Sequence, residues 1–342
     1  MPDPKKILII RTDRIGDAVL SIPVIENLRT AYPHAYIAFM CSPLTEDIVR
    51  TNPFLDEVIV YDKRGTHKSI LSLLRFVTGL RRKKFDWAVI LHSTNRVNWI
   101  AALSGIPLRI GWDRKAGFLL TRRIPYLKRL GEMHERDYNL ELIKNLGVKI
   151  VSRQTRLYPD QKAAERIEHL FSKHGLARGG DLLIGIHPLS SCPSKMWPQR
   201  RYQELASVLV AEYKAKIIVI GGERIEFAVN GAAQQNIINV SGSLCISESI
   251  ALIARLCVLI SNDSGPVHIA GGVGIPCVVL FGRKQPGLSP RRWGPLGAED
   301  KVIIKDAGCT ECRAHNCTKE FLCIRSITVE EVLQQIRPFL RA

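Results

Sequence analysis

Ser261-Asn-Asp-Ser-Gly-Pro-Val-His268 is the stretch around which the 342-residue chain organises itself. An apolar run, 252–260, leads into it. A small-residue stretch, 269–274, and a second apolar run, Cys277-Val-Val-Leu-Phe281, follow it. This order predicts strand, tight turn, short helix, strand. Ser264 falls at the N-cap and Pro266 near the first helical position, where a missing N–H costs nothing. Such a turn leaves backbone N–H groups at a helix N-terminus, and these favour an anion. A well-capped helix without a ligand satisfies the same residues, so the turn alone leaves both readings open.

Outward from this stretch, the same alternation covers the chain. In the first half, strands are expected at 7–10, 36–40, 58–61, 87–91 and 108–110, with helices at 18–31, 44–51, 70–82 and 97–103. The pattern pauses near Tyr158-Pro-Asp160. A helix over 161–174 and a glycine-rich link, 175–180, come next. Strands are then expected at 182–186, 216–220, 237–240, 258–261, 277–281 and 302–304, with helices at 202–213 and 247–255. The last helix, 328–340, opens with Thr328-Val-Glu-Glu331, a capping box. Short buried strands alternating with amphipathic helices predict an α/β fold with doubly wound parallel sheets. Length favours two domains, here 1–160 and 161–327. Two such domains imply a cleft between them, and ligands of open parallel sheets bind beyond the carboxyl ends of the strands.

Apolar residues make up 46% of the chain and charged residues 24%, enough for two cores and too mixed for disorder. No apolar run reaches the ~18 residues of a membrane span. The N-terminal run Ile7-Leu-Ile-Ile10 is too short for a signal-peptide core, which predicts a cytoplasmic protein. Net charge is +17; residues 1–150 hold 25 Lys and Arg against 15 Asp and Glu, or +10, leaving +7 for the remainder. The excess gathers in 63–84 and 109–129. A basic face of this kind suits a phosphorylated substrate, anionic lipid or nucleic acid; a tetrad such as Arg81-Arg-Lys-Lys84 equally suits a solvated helix C-terminus.

Three further motifs follow strands directly. Arg11-Thr-Asp-Arg-Ile-Gly-Asp17 follows the first. Gly16 lets the backbone turn, and Asp17 either caps the helix or acts as a general base, with Asp13 competing for that role. The pattern is not that of a dinucleotide-binding turn. His187-Pro-Leu-Ser-Ser-Cys-Pro-Ser-Lys195 offers the Ser190 and Ser191 hydroxyls and the Lys195 ammonium, suited to a diphosphate. Gly221-Gly-Glu223 suits a nucleotide ribose or an ordinary turn. No serine–histidine–aspartate order, P-loop or zinc-protease motif competes.

Taken in order, Arg11 to Asp17, Pro188 to Trp197, Asn262 to Ala270 and Leu280-Phe-Gly282 resemble the ADP-heptose heptosyltransferases of glycosyltransferase family 9. The resemblance implies a GT-B fold, two Rossmann-like domains facing a cleft, with a terminal helix (within 328–342) returning to the first domain. It implies Asp17 as catalytic base and Lys195, Ser190 and Ser191 at the donor diphosphate. It also places the amides of Ser264 and Gly265 and the neighbouring Pro266 at the phosphate, where Pro266 has no N–H to give. Asp263 would hold sugar hydroxyls, His268 would lie near the diphosphate, and Glu223, with Glu226 its rival, would bind ribose. Asp13, Arg14, Gly16, Lys63 and Arg64 fall to the acceptor. Two positions depart from the family: Leu189 stands where glycine is common, and Arg283-Lys-Gln-Pro286 replaces a usual Pro-Thr-Asp-Pro.

The implied reaction is an inverting transfer of heptose from ADP-heptose to the anionic inner core of lipopolysaccharide, at the cytoplasmic membrane face and with no catalytic metal. Transfer to a protein acceptor is the second enzymatic reading. A nucleic-acid-binding protein, suggested by charge alone, lacks any recognised motif or interleaved aromatics. Of the nine cysteines, Cys309, Cys312, Cys317 and Cys323 form a compact C-x2-C-x4-C-x5-C run. Their type and spacing suit a structural zinc or iron, or else reduced structural thiols.

Overall fold

The computed structural model describes residues 3–176 and 180–340. Residues 177–179 of the glycine-rich link and 341–342 of the expected terminal helix segment lie outside the described residues. The chain divides into two compact units between Arg156 and Leu157.

The first unit runs β1 (Lys6–Ile10), α1 (Ile15–Val19), α2 (Ile22–Ala31), β2 (Tyr36–Cys41), α3 (Glu46–Val49), β3 (Glu57–Val60) and α4 (Ile70–Lys83). It continues through β4 (Trp87–Ile90), α5 (Asn95–Leu103), β5 (Leu108–Asp113), β6 (Arg122–Pro125) and α6 (Glu135–Lys144). Its six strands are parallel in the order β3-β2-β1-β4-β5-β6. Central strand β1 places Ile7, Leu8, Ile9 and Ile10 wholly out of solvent, as a strand covered on both faces requires.

The second unit runs α7 (Gln161–Lys173), β7 (Leu183–His187), α8 (Gln199–Tyr213), β8 (Lys216–Val219), β9 (Ile237–Asn239), α9 (Ile246–Ile253) and β10 (Val258–Asn262). After these come α10 (Gly265–Val273), β11 (Cys277–Phe281), α11 (Pro290–Trp293), β12 (Lys301–Ile304), α12 (Leu322–Arg325) and α13 (Val329–Ile336). Its parallel order, β12-β11-β10-β7-β8-β9, repeats the plan of the first. In both sheets the winding reverses beside the first strand, at β1/β4 and at β7/β10. The crevice at such a switch point is where doubly wound sheets bind ligands.

Four expectations need correcting. The helix expected over 18–31 is two helices, because Pro23 cannot donate inside a helix and sits instead at the start of α2. The stretch 44–51 forms a 3-10 turn, Pro43–Thr45, followed by the short α3. Strand β6 was not expected: its Arg122-Arg-Ile-Pro125 reads as loop, yet charge and proline belong on a sheet edge. Helix α6 was also not expected, for a reason that lies in the site. The terminal helix does open with the Thr328–Glu331 capping box. Its buried Val332, Leu333 and Ile336 join the core of the second unit beside Ile324 and Ile327.

Candidate functional site

At the β1/β4 switch point a buried ionic cluster forms on Arg11, the residue directly after β1. Its guanidinium donates to Asp13 at 2.7 Å, to Glu135 at 3.2 Å and to the amide oxygen of Asn139 at 3.0 Å. A further arm reaches Asp17. Lys128, itself 4% exposed, donates to Glu135 and lies over the Trp112 ring at 5.0 Å. His92, just past β4, places Nδ1 3.5 Å from Asp13. Two basic side chains therefore face three carboxyl groups, a formal surplus of one negative charge in a water-poor setting. A proton is held most easily where that surplus is worst solvated. Burial pushes the Asp17 carboxyl up to about 7; Arg11 opposes the shift, and Asp13 and Glu135 reinforce it. Burial lowers the pKa of His92, against Asp13.

Asp17 is fixed through the helix that carries it. Helix α1 stops at Leu20 and Ser21 ahead of Pro23, exposing carbonyls that need partners. Asn139 donates to the Leu20 carbonyl at 3.0 Å while its oxygen receives Arg11. One side chain of α6 thus holds both the helix that carries Asp17 and the arginine paired to Asp17. Of the other residues expected on this loop, Gly16 is buried and Arg14 is exposed at the α1 N-cap. Lys63 and Arg64 project from a turn after β3 in which Asp62 accepts the N–H groups of Arg64, Gly65 and Thr66.

At the β7/β10 switch point the geometry is built by Asn262, the last residue of β10. Its amide donates to the Pro188 carbonyl at 2.8 Å, and its oxygen accepts from Trp197 N–H at 3.1 Å and Tyr202 hydroxyl at 2.9 Å. This ties both ends of the 188–197 loop to the strand end. Gly282 is required by the same packing: a Cβ there would stand 2.3 Å from the Ser194 carbonyl oxygen. Thus held, Lys195 reaches Asp263, with Nζ 2.9 Å from the carboxylate and 3.1 Å from the backbone oxygen. Arg283, 4% exposed, donates to the same carboxylate at 2.8 Å. Two cations on one acid leave this cluster one positive charge in surplus, the reverse of the first.

Around it, Ser264 occupies the N-cap of α10 without a side-chain cap bond. Its hydroxyl turns instead toward His187 Nδ1 at 3.0 Å and Ser261 Oγ at 3.0 Å. Burial holds His187 down to about 4, so the imidazole is neutral. Gly265 and Pro266 open α10, and His268 is buried one turn in. Ser190 Oγ is buried with no hydrogen-bond partner among the described residues, whereas Ser191 is exposed. Glu223 and Glu226 are both exposed on the loop after β8. The departure at Leu189 has a counterpart there: a Cβ on Gly221 would meet Leu189 at 2.7 Å, so the bulk at 189 rests against a glycine.

The structure adds Glu135, Asn139, Lys128 and Arg283 to the residues expected from sequence. Arg283 had left a signal, as the departure after Phe281-Gly282, and Lys128 lies in the basic stretch 109–129; Glu135 and Asn139 had left none. The four clustered cysteines are free thiols with separate partners. Cys312 Sγ accepts from Lys284 N–H at 3.4 Å and Cys317 Sγ from Phe321 N–H at 3.3 Å, while Cys323 donates to the Gly282 carbonyl at 3.0 Å. Among the described residues no three histidine, cysteine, aspartate or glutamate side chains are grouped to hold a metal ion.

The sequence profile of glycosyltransferase family 9 (heptosyltransferase) matches residues 73–322. The chain is 27% identical over 349 aligned residues to lipopolysaccharide heptosyltransferase 2 of Salmonella typhimurium, spanning 98% of both. The glycosyl transferase family 9 structure from Veillonella parvula superposes with a TM-score of 0.84 at 25% identity, over 98% of this chain and 97% of that one. E. coli ADP-heptose lps heptosyltransferase II shares the fold, with a TM-score of 0.79 at 24% identity over 98% of each chain. With paired doubly wound sheets, a charged cluster at each switch point and a profile match over most of its length, the chain belongs to glycosyltransferase family 9.

Proposed function

We propose that this protein is an inverting glycosyltransferase that moves heptose from ADP-heptose to the inner core of lipopolysaccharide. The observation that carries the reading is the opposite charge imbalance of the two clusters. The first, short of one cation, suits a group that takes up a proton. The second, short of one anion, suits a diphosphate. The acceptor hydroxyl is assigned to the first unit, with Asp13, Arg14, Gly16, Lys63 and Arg64 around it, and the donor to the second.

In this reading Asp17 takes the proton of the acceptor hydroxyl as its oxygen bonds to the anomeric carbon. The bond from that carbon to the diphosphate oxygen breaks on the opposite face, and ADP leaves with the electron pair. Lys195, Arg283, the Ser190 and Ser191 hydroxyls and the α10 amides of Ser264 and Gly265 meet the charge growing on the leaving group. Pro266, lacking an N–H, only shapes that helix start. Asp263, released in part from its two cations, turns to sugar hydroxyls. His268 stays near the diphosphate, and Glu223, or Glu226 in its place, takes the ribose.

General-base assistance is worth about 10²–10⁴-fold. Asp17→Ala is expected to lose turnover in that range while its thermal shift with ADP-heptose stays. Near-normal transfer by Asp17→Ala would remove the assignment and turn attention to Asp13. A panel of sugar nucleotides in the same thermal-shift assay tests the donor.

The anionic acceptor also accounts for the basic first unit, and we read the protein as working at the cytoplasmic face of the membrane. No helix among the described residues is long and apolar enough to cross a bilayer, so contact would be peripheral. For the cysteine run we take the reduced-thiol reading, with Cys312, Cys317 and Cys323 seated on backbone groups of Lys284, Phe321 and Gly282. Zinc or iron at one equivalent in elemental analysis of purified protein would restore the metal expectation.

A further inference from the structure

Away from the two clusters, the first unit carries large apolar side chains in solvent on one outer layer. Helix α4 packs Val77 and Leu80 into the core, with Leu73 and Phe76 against it. Its outward face begins with Ile70, Leu71 and Leu74, which are 80%, 58% and 51% exposed. Helix α5 lies beside α4 and runs the same way. Arg96 at its start donates to the His67 carbonyl just ahead of α4, and Gly105 just beyond its end stands next to Arg81 at the end of α4. Its buried Val97, Ile100 and Ala101 enter the same core as Val77 and Leu80. The outer faces of both helices therefore look the same way.

On that side α5 exposes Trp99 and Leu103, and Phe118, 69% exposed, sits edge-on to Trp99 at 6.2 Å. Single exposed apolar residues are ordinary, but a gathered set of six large ones marks an interaction surface. Its surroundings are cationic. Exposed Lys63, Arg64 and Lys68 precede α4, and exposed Arg75, Arg81 and Arg82 share its outer face.

We propose that this α4–α5 layer is a docking surface for an anionic lipid bilayer, with Leu71, Leu74 and Trp99 entering the acyl boundary and the arginines at phosphate level. Leucine and tryptophan on one helical face bordered by Lys and Arg is the composition of an interfacial element. Each cation near an anionic surface adds attraction that salt removes. A second copy of this chain is a poorer occupant, because a two-fold contact would press the same arginines against one another. The proposal rests on the reading above only for why such an enzyme would sit on a bilayer.

The test is flotation of the full-length protein with phosphatidylcholine vesicles, with and without phosphatidylglycerol. Binding is expected to the anionic vesicles and to weaken with salt. Leu71→Glu/Leu74→Glu is expected to lower the partition coefficient at least about tenfold, since it exchanges two apolar anchors for two like charges. Arg81→Glu/Arg82→Glu is expected to abolish the preference for phosphatidylglycerol. Leu71→Glu/Leu74→Glu should keep its turnover on a water-soluble, deacylated acceptor, which shows that it folds.

Undiminished vesicle binding by Leu71→Glu/Leu74→Glu would overturn the proposal, as would equal wild-type binding to both vesicle types. So would a wild type that stays off vesicles and forms a dimer, by light scattering, that this variant dissociates. Vesicle binding without heptosyl transfer would instead fail the proposed function and leave the surface standing.

Discussion

Asp17 is set apart from an ordinary helix-capping acid by its competitors. A guanidinium touching a lone carboxylate would hold it ionised at low pH. Here Arg11 also serves Asp13 and Glu135, and burial tips Asp17 toward its protonated form. As the proposed base, Asp17 must be ionised to work, so kcat/KM is expected to fall as pH drops through about 7, the value to which Asp17 is raised. The stability sign is opposite. A carboxyl raised in the folded state stabilises below its unfolded pKa, and that contribution is lost as pH rises through the folded value. Asp17→Asn, which mimics the protonated acid, is therefore expected to lose about 10²–10⁴-fold in transfer yet melt no lower than wild type at pH 8.

Glu135→Gln tests the positioning role. With one repelling charge gone and Arg11 freed toward Asp17, the acidic limb of the profile is expected to move down by roughly one unit, the scale of a single neighbouring charge. A limb that stays in place, whatever the change in Tm, would make Glu135 merely structural. In the other cluster, Arg283→Ala is expected to raise the donor KM by about 10–100-fold, the range of one lost charge-assisted hydrogen bond. Unchanged donor KM and Kd would confine Arg283 to holding Asp263.

Among the elements, the 188–197 loop and helix α6 do most of the positioning. The loop is pinned by Asn262 at both ends and fits only because residue 282 has no side chain. Gly282→Ala is expected to push the Ser194–Lys195 turn off the strand end, weakening donor binding by at least about tenfold and lowering Tm, since the contact is with backbone rather than a flexible side chain. A variant with native donor Kd would show that Lys195 needs no such seat. Helix α6 escaped sequence reading because Glu135 and Asn139, two residues of its buried face, are polar. Periodicity arguments look for an apolar stripe, and these side chains become buriable only once Arg11, Lys128 and the broken end of α1 supply their partners. Strand β6 escaped for a related reason: an edge strand tolerates arginine and proline, so it lacks the composition of the buried strands.

For the whole molecule, charge is the property that composition reports and folding distributes. Exchanging Lys63 and Arg64 for glutamate is expected to raise the KM for the anionic acceptor several-fold and flatten its rise with salt, with donor Kd unchanged. An acceptor KM that does not move would return this turn to the ordinary solvated surface.

The sequence by itself determined the doubly wound plan, the turn after β10 and the acids at strand ends, because these depend on local periodicity and on what glycine, proline and a capping hydroxyl can do within a few residues. It also determined Asp17 and Lys195 as candidates, since each lies in a motif that begins where a strand ends. Only the tertiary structure decided how they are held. Arg11 meets Glu135 from 124 positions away, and Asp263 meets Lys195 from 68. No local pattern encodes such pairings. They exist because burial makes an unpartnered charge costly and packing brings the partner within reach. That is why the opposite charge imbalances of the two clusters, on which the functional reading depends, became visible only once the chain was folded.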